Sequence, residues 1–201
     1  MKQIFIFRKA HAAVILLCCL MAFSSAMAQQ MPRRNVLRET NNEFFKTEEA
    51  RRIGNQVLAF QRCTGGWPKN IDMTQKMSNE ELAQILKEKS RRDDSTIDNN
   101  ATTMQMIYLA RLYRQTKDVR YRDAFRLAVE YLLSGQYENG GWPQFWPEMR
   151  GYQLHITFND DAIVNTLEIL HDIMTAEFPY DGDLTCLLYT SPSPRDRTRS
   201  R

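Results

Sequence analysis

The sequence has 201 residues, 43% of them hydrophobic and 25% charged, which suits one globular domain and excludes a collagen-like or wholly disordered chain. Its net charge of +3 comes from its two ends: residues 1–28 carry Lys2, Arg8 and Lys9 with no acid, and residues 186–201 carry four arginines against one aspartate. Setting aside these ends, each at +3, leaves residues 29–185 at −3, so the charge of the body favours neither nucleic acid nor an anionic membrane as partner.

In chain order, the first element is a signal peptide over residues 1–28. The cations precede the apolar run from Ala12 to Phe23, and Ala26-Met27-Ala28 supplies the small residues for cleavage before Gln29. The run is shorter than the roughly 20 residues a membrane span needs. Cys18 and Cys19 lack the small residue a lipobox places before its cysteine. The mature protein is therefore expected to be secreted or periplasmic, with no membrane partner after cleavage. Within residues 29–185 only Cys63 is a cysteine, so the body has no disulfide framework.

Residues 29–43 read as a flexible polar linker, and residues 44–185 as the folded body. Thr47-Glu48-Glu49 opens a helix carrying Ile53, Val57 and Phe60, which Thr64-Gly65-Gly66 stops. Ser78-Asn79-Glu80-Glu81 is a capping box that leads Leu82, Ile85 and Leu86, and the charged stretch from Lys87 to Asp94 reads as a solvated loop. From Ala101, Met104, Ile107, Tyr108, Leu109 and Leu112 form an apolar helix. A turn at Thr116-Lys117-Asp118 returns the chain into its partner, which carries Ala124, Leu127, Ala128, Tyr131 and Leu132 and ends at Ser134-Gly135. The last helix runs from Asp160 through Ile163, Leu167, Leu170 and Ile173 to near Ala176. Residues 186–201 share no periodicity with the body; they resemble a translated sequencing-adapter read-through and are set aside as a non-native tail.

No segment alternates with the period of two that a half-buried strand requires, so the body is all-α. The motif Gly-Gly-Trp-Pro occurs twice, at 65–68 and 140–143, each time closing an apolar helix. Two polar helix starts follow, Thr96-Ile97-Asp98-Asn99-Asn100-Ala101 and Thr157-Phe158-Asn159-Asp160-Asp161-Ala162. Helical hairpins repeated in this way can close into an (α/α) toroid whose inner helix starts face one common end.

The glycines of each elbow can take positive φ, proline fixes the exit, and the tryptophan either fills the gap between helix ends or stacks on a sugar. For the polar triplets, one reading is helix capping. Capping needs one such residue and each start has three. Oxygen donors from two converging starts could instead meet a hard cation such as Ca²⁺. His155 and His171 are too far apart for a two-histidine metal face; His155 is a candidate ligand contact and His171 a surface residue. Lys69 and Arg150 lie within a few residues of an elbow proline and are candidates for an anionic ligand.

The string Gly-Gly-Trp-Pro-Lys-Asn (65–70), Thr-Ile-Asp-Asn (96–99), Gly-Gly-Trp-Pro-Gln-Phe (140–145) and His-Ile-Thr-Phe-Asn-Asp (155–160) resembles the pectic acid lyases of the tenth polysaccharide lyase family. The resemblance covers about Phe44 to Ala176. It implies an (α/α) toroid, present to roughly its first half, and a monomer that cleaves polygalacturonate by Ca²⁺-assisted β-elimination. Motif for motif, it implies Asp98 and Asp160 as metal ligands, with Lys69, His155, Asn159, Asp161 and Trp142 binding substrate. It also implies an arginine base well beyond the helix that begins at Asp160, and residues 29–185 hold no match for it. The chain is thus expected to be inactive by itself, with its last helices exposing apolar faces. Two other readings are open: a glycan-binding toroid without catalysis, and a terpene cyclase or prenyltransferase-like toroid suggested by Asp93-Asp94.

Overall fold

The computed structural model describes residues 36–156 and 158–184. The signal peptide, most of the linker, Thr157 and the C-terminal tail lie outside the described residues. Among the described residues five α-helices order the body: α1 (Glu48–Phe60), α2 (Asn79–Lys87), α3 (Thr103–Thr116), α4 (Val119–Gly135) and α5 (Ala162–Met174). No strand occurs among the described residues; three isolated bridges, Trp67 with Thr96, Thr96 with Phe145, and Pro143 with Ile156, tie the loops together. The all-α expectation holds.

The helix boundaries follow local chemistry. Thr47 caps α1 by accepting the Ala50 N–H, and Glu48 and Glu49 place negative charge at its N-terminal end. At α2 the Ser78 side chain accepts the Glu81 N–H while the Glu81 carboxylate accepts the Ser78 N–H, so the capping box forms as its sequence predicts. Between α3 and α4, Lys117 takes the left-handed conformation that ends α3, and the Asp118 side chain caps α4.

The core centres on α3, which packs against α1, α4 and α5 and against the short turns at Val36–Arg38 and Phe44–Lys46. Met106, Tyr108, Leu109, Ala110 and Leu112 are fully buried there, and the Tyr108 hydroxyl donates to the Ala50 carbonyl at 3.0 Å. Leu37 is buried in the same cluster. Packing therefore reaches back to residue 37, well before Phe44. After α5 the described chain continues to Leu184, with Tyr180 and Leu184 buried in the same core, while α5 itself leaves Val164, Leu167 and Met174 half-exposed or more at helical spacing.

The stretch from Lys87 to Asp94 is not a merely solvated loop. Arg62, at the entry to the first elbow, has a side chain only 1% exposed, and it takes both oxygens of Asp94 at 2.7–3.1 Å and Glu88 at 3.0 Å. A buried guanidinium requires acidic partners, and the loop supplies them. Lys89 adds a bond to the Leu58 carbonyl at 2.8 Å, and burial pushes its pKa down. Asp94 is therefore a structural counter-ion. It is not available to a diphosphate-binding cluster.

The two Gly-Gly-Trp-Pro elbows repeat bond for bond. Gly65 and Gly140 have positive φ of 96° and 87°. Trp67 Nε1 donates to Val57 O at 2.8 Å and Trp142 Nε1 to Leu132 O at 2.7 Å, each reaching ten residues back. The Gln61 and Gln136 amides cross each elbow to the carbonyls of Gly65 and Gly140. Their surroundings differ. A Cβ on Gly65 would collide with the Leu127 carbonyl oxygen, whereas one on Gly140 meets nothing within 4 Å. Gly140→Ala is accordingly expected to lose about 1–2 kcal/mol, the left-handed penalty alone, and Gly65→Ala clearly more. Urea unfolding of the two variants measures this, and equal losses would contradict it.

Candidate functional site

The helix starts are built differently from a simple cap. Asp98–Asn100 form a 3₁₀ turn, the chain leaves it at Ala101, and α3 begins only at Thr103. At the second start, Asp160 and Asp161 precede α5, which begins at Ala162. In both, two consecutive non-glycine residues have left-handed backbones: Asn99 and Asn100 at φ 52° and 60°, Asp160 and Asp161 at 50° and 54°. Asparagine and aspartate tolerate this region best, since their short polar side chains can bond locally. The N-caps Thr102 and Asp161 make no side-chain capping bond. This corrects the capping reading. The triplets turn the chain and bring polar groups of both starts into one cluster.

Asp98 is the centre of the cluster. Its side chain is 3% exposed, and its Oδ2 accepts from Lys69 Nζ and from Gln144 Nε2, while its Oδ1 accepts from Asn159 Nδ2 at 3.1 Å. Lys69 and Gln144 are each the first residue after an elbow proline, so both elbows deliver the same repeat position to one carboxylate. Lys69 also lies 5.3 Å from the centre of the Phe145 ring. Burial pushes the Asp98 carboxyl up. The bond and charge of Lys69, the Gln144 amide and the Asn99 N–H together outweigh this and hold it below the ordinary carboxylate range.

A backbone scaffold fixes this geometry. Fully buried Thr96 donates its hydroxyl to Gln144 O at 2.6 Å and accepts the Asp98 N–H at 3.0 Å. Its own N–H donates to Trp67 O at 3.1 Å, and Thr102 Oγ1 donates to Thr96 O at 2.8 Å. Thr96 thus registers both elbows against the first start. Asn99 bonds Asn70 at 2.9 Å, and Asn165 of α5 bonds Asn100 at 3.1 Å, which links the two starts again.

The second start meets the first through one amide. Asn159 Nδ2 donates to Asp98 Oδ1 and also to Asp160 Oδ2 at 3.0 Å. The two carboxylate oxygens therefore face one point. Among the described residues no cluster of three or more His, Cys, Asp or Glu side chains forms a ready metal cage. The donor set still fits a hard cation that keeps other ligands. Two carboxylate oxygens converge, and a half-turn of the Asn159 amide, whose O and N are assigned from bonding alone, would add a third oxygen.

Of the sequence candidates, Lys69, Asp98, Asn159 and Asp160 come together. Asp161 contributes its carbonyl, which accepts the Asn165 N–H at 2.8 Å, and its side chain is exposed. His155 is exposed at the end of the Gly151–Leu154 turn, and His171 is exposed on α5. Trp142 must be corrected. It is 1% exposed with its indole N–H spent on Leu132, so it has no free face for a sugar, and Trp67, at 0%, has none either. Trp146 stacks on Tyr131 at 4.0 Å and is equally closed. Gln144, Asn70 and Thr96 went unrecognised as site residues. The signal for Gln144 was its equivalence to Lys69 after the elbow proline.

The family model described as pectic acid lyase matches residues 61–193. Two solved structures match with a TM-score of 0.59 and 0.58 at 33% identity. One is an aspartate-to-alanine mutant of a Family 10 polysaccharide lyase from Cellvibrio cellulosa in complex with trigalacturonic acid, and the other is the Family 10 polysaccharide lyase from the same organism. The alignments cover 77% and 79% of this chain but 42% and 44% of theirs, so the chain spans under half the length of these structures. A search of the curated proteins finds no match.

Because its folded pKa is depressed, the Asp98 carboxylate contributes stability that is fully present above its unfolded value of 3.8 and is lost as pH falls through the folded value. Asp98→Asn is expected to cost about 1–2 kcal/mol at pH 7, with the gap from the wild type closing below about pH 4. Urea unfolding across pH checks this, and a gap unchanged at pH 2 would contradict it.

Proposed function

The chain belongs to the pectic acid lyase family, and on that premise we propose that the Asp98 cluster is the cation- and uronate-binding part of a secreted pectate lyase that cleaves polygalacturonate by Ca²⁺-assisted β-elimination. The observation that carries this reading is the convergence of Asp98, Asp160 and Asn159 on one point beside the Lys69 ammonium.

The chemistry explains the arrangement. The proton removed in β-elimination lies α to a carboxylate, so charge builds up on that group as the proton leaves. A bound Ca²⁺, held by Asp98 and Asp160 with Asn159, would supply the Lewis acidity that stabilises this charge. Lys69, its side chain 30% exposed, is placed to pair with a galacturonate carboxylate. The proton-abstracting base is not assigned to any described residue. In the family an arginine fills that role, and because free guanidinium holds its proton to above about pH 12, it needs a site that lowers that value.

The printed ligand of one solved relative, trigalacturonic acid, supports this substrate class. The leader sequence and the family support export. The terpene-cyclase reading loses its aspartate cluster to the Arg62 pair. A glycan-binding role through the elbow tryptophans loses their exposed faces.

Calorimetric titration with trigalacturonic acid is expected to show binding that requires Ca²⁺. In Asp160→Asn, which keeps the left-handed backbone but loses the charge, binding should fall about tenfold or more, corresponding to about 1.4 kcal/mol. Binding that is the same in chelator and unchanged in this variant would contradict the proposal.

A further inference from the structure

A cation entering this site would compete with Lys69 for one carboxylate. Lys69 Nζ already neutralises Asp98 through Oδ2, and Asn159 Nδ2 occupies the point between Asp98 Oδ1 and Asp160 Oδ2. In the state described, hydrogen-bond donors fill the position where a cation's oxygen ligands would converge. A cation entering there meets like charge from the lysine and needs the Asn159 amide to turn.

Lys69 has somewhere else to go. Its side chain is 30% exposed while that of Asp98 is 3% exposed, so the ammonium approaches from the solvent side. The Phe145 ring, 5.3 Å away, offers a second contact for the cation. Gln144 holds the same Asp98 oxygen from the equivalent position of the other elbow and carries no charge. The carboxylate therefore stays positioned when the lysine leaves.

Resting on the function proposed above, we propose that Lys69 is a resident counter-cation that makes Ca²⁺ and the substrate carboxylate bind with positive cooperativity. Without an anionic ligand, the ammonium remains on Asp98 and opposes the metal. A galacturonate carboxylate draws the ammonium away from Asp98, which restores the uncompensated charge of that carboxylate while Gln144 keeps its bond to Oδ2, and it supplies oxygens to the metal, whose protein donor set is small. Each ligand thus removes part of the cost of binding the other. By linkage the two must tighten one another by the same factor.

The asymmetry between the elbows gives this device its form. If both post-proline residues were cations, Asp98 would be overcompensated; if both were amides, no charge would move. Lys69 is a positioning and coupling residue in this scheme, and it takes no proton.

The test is calorimetric titration of the full chain with Ca²⁺ alone, with trigalacturonic acid alone, and with each in the presence of the other. The wild type is expected to show weak Ca²⁺ binding that trigalacturonic acid strengthens about five-fold or more, the lower end of common coupling factors. Lys69→Met should bind Ca²⁺ alone more tightly than the wild type, with the coupling factor falling toward one. Lys69→Arg, which keeps the charge, should retain the coupling. Should Lys69→Met fail to fold, Lys69→Gln, which keeps a donor for Asp98 without charge, carries the same expectation. Coupling unchanged in the neutral variants, with both ligands bound, overturns the role of Lys69 and leaves the proposed function standing. A wild-type chain that binds neither Ca²⁺ nor trigalacturonic acid overturns both.

Discussion

One carboxylate holds the site together. Asp98 is almost wholly buried, and a buried charge is tolerated only where it is paired and its lone pairs are satisfied. Its bonds come from three separate parts of the chain: Lys69 after the first elbow, Gln144 after the second, and Asn159 at the second start. Neither elbow can shift relative to the first start without leaving a donor or an oxygen unpaired. Thr96 reinforces this through the backbone, since its N–H, hydroxyl and carbonyl reach the first elbow, the second elbow and Thr102 in turn.

The repeat divides labour between scaffold and site. The parts of each elbow that face inward are the same in both copies: a left-handed glycine, a glutamine amide across the loop, and an indole N–H bonded ten residues back. These settle how one helix hands the chain to the next. The residue after each proline differs, lysine in one copy and glutamine in the other, and there the architecture acquires a charge asymmetry. The left-handed pairs at the two starts serve the same end. They cost backbone energy, which asparagine and aspartate keep small, and they project polar groups from two starts into one cluster.

Much of this was legible in the sequence. Hydrophobic spacing located five helices, and the caps at Thr47, Ser78 and the Thr116-Lys117-Asp118 turn were visible because capping is a local interaction. Asp98, Asp160, Asn159 and Lys69 were legible through repetition and through the resemblance to a family. Three features were not. The left-handed backbone at Asn99, Asn100, Asp160 and Asp161 has no periodicity to betray it, and these residues also suit a cap. Trp142 reads as a wedge between helix ends or as a sugar platform, and burial separates the two. The Arg62–Asp94 pair spans 32 positions, so the charged stretch from Lys87 to Asp94 looked solvated until its buried partner was placed.

The central claim is that the oxygens of Asp98 and Asp160 meet at a single cation position with Lys69 beside it. A crystal structure of the chain with Ca²⁺ and trigalacturonic acid tests it most directly. The account predicts one ion bound by both carboxylates and the Asn159 oxygen, with the Lys69 ammonium moved from Asp98 onto a uronate carboxylate. An ion seated elsewhere, with the Lys69–Asp98 pair intact under bound ligand, would contradict it.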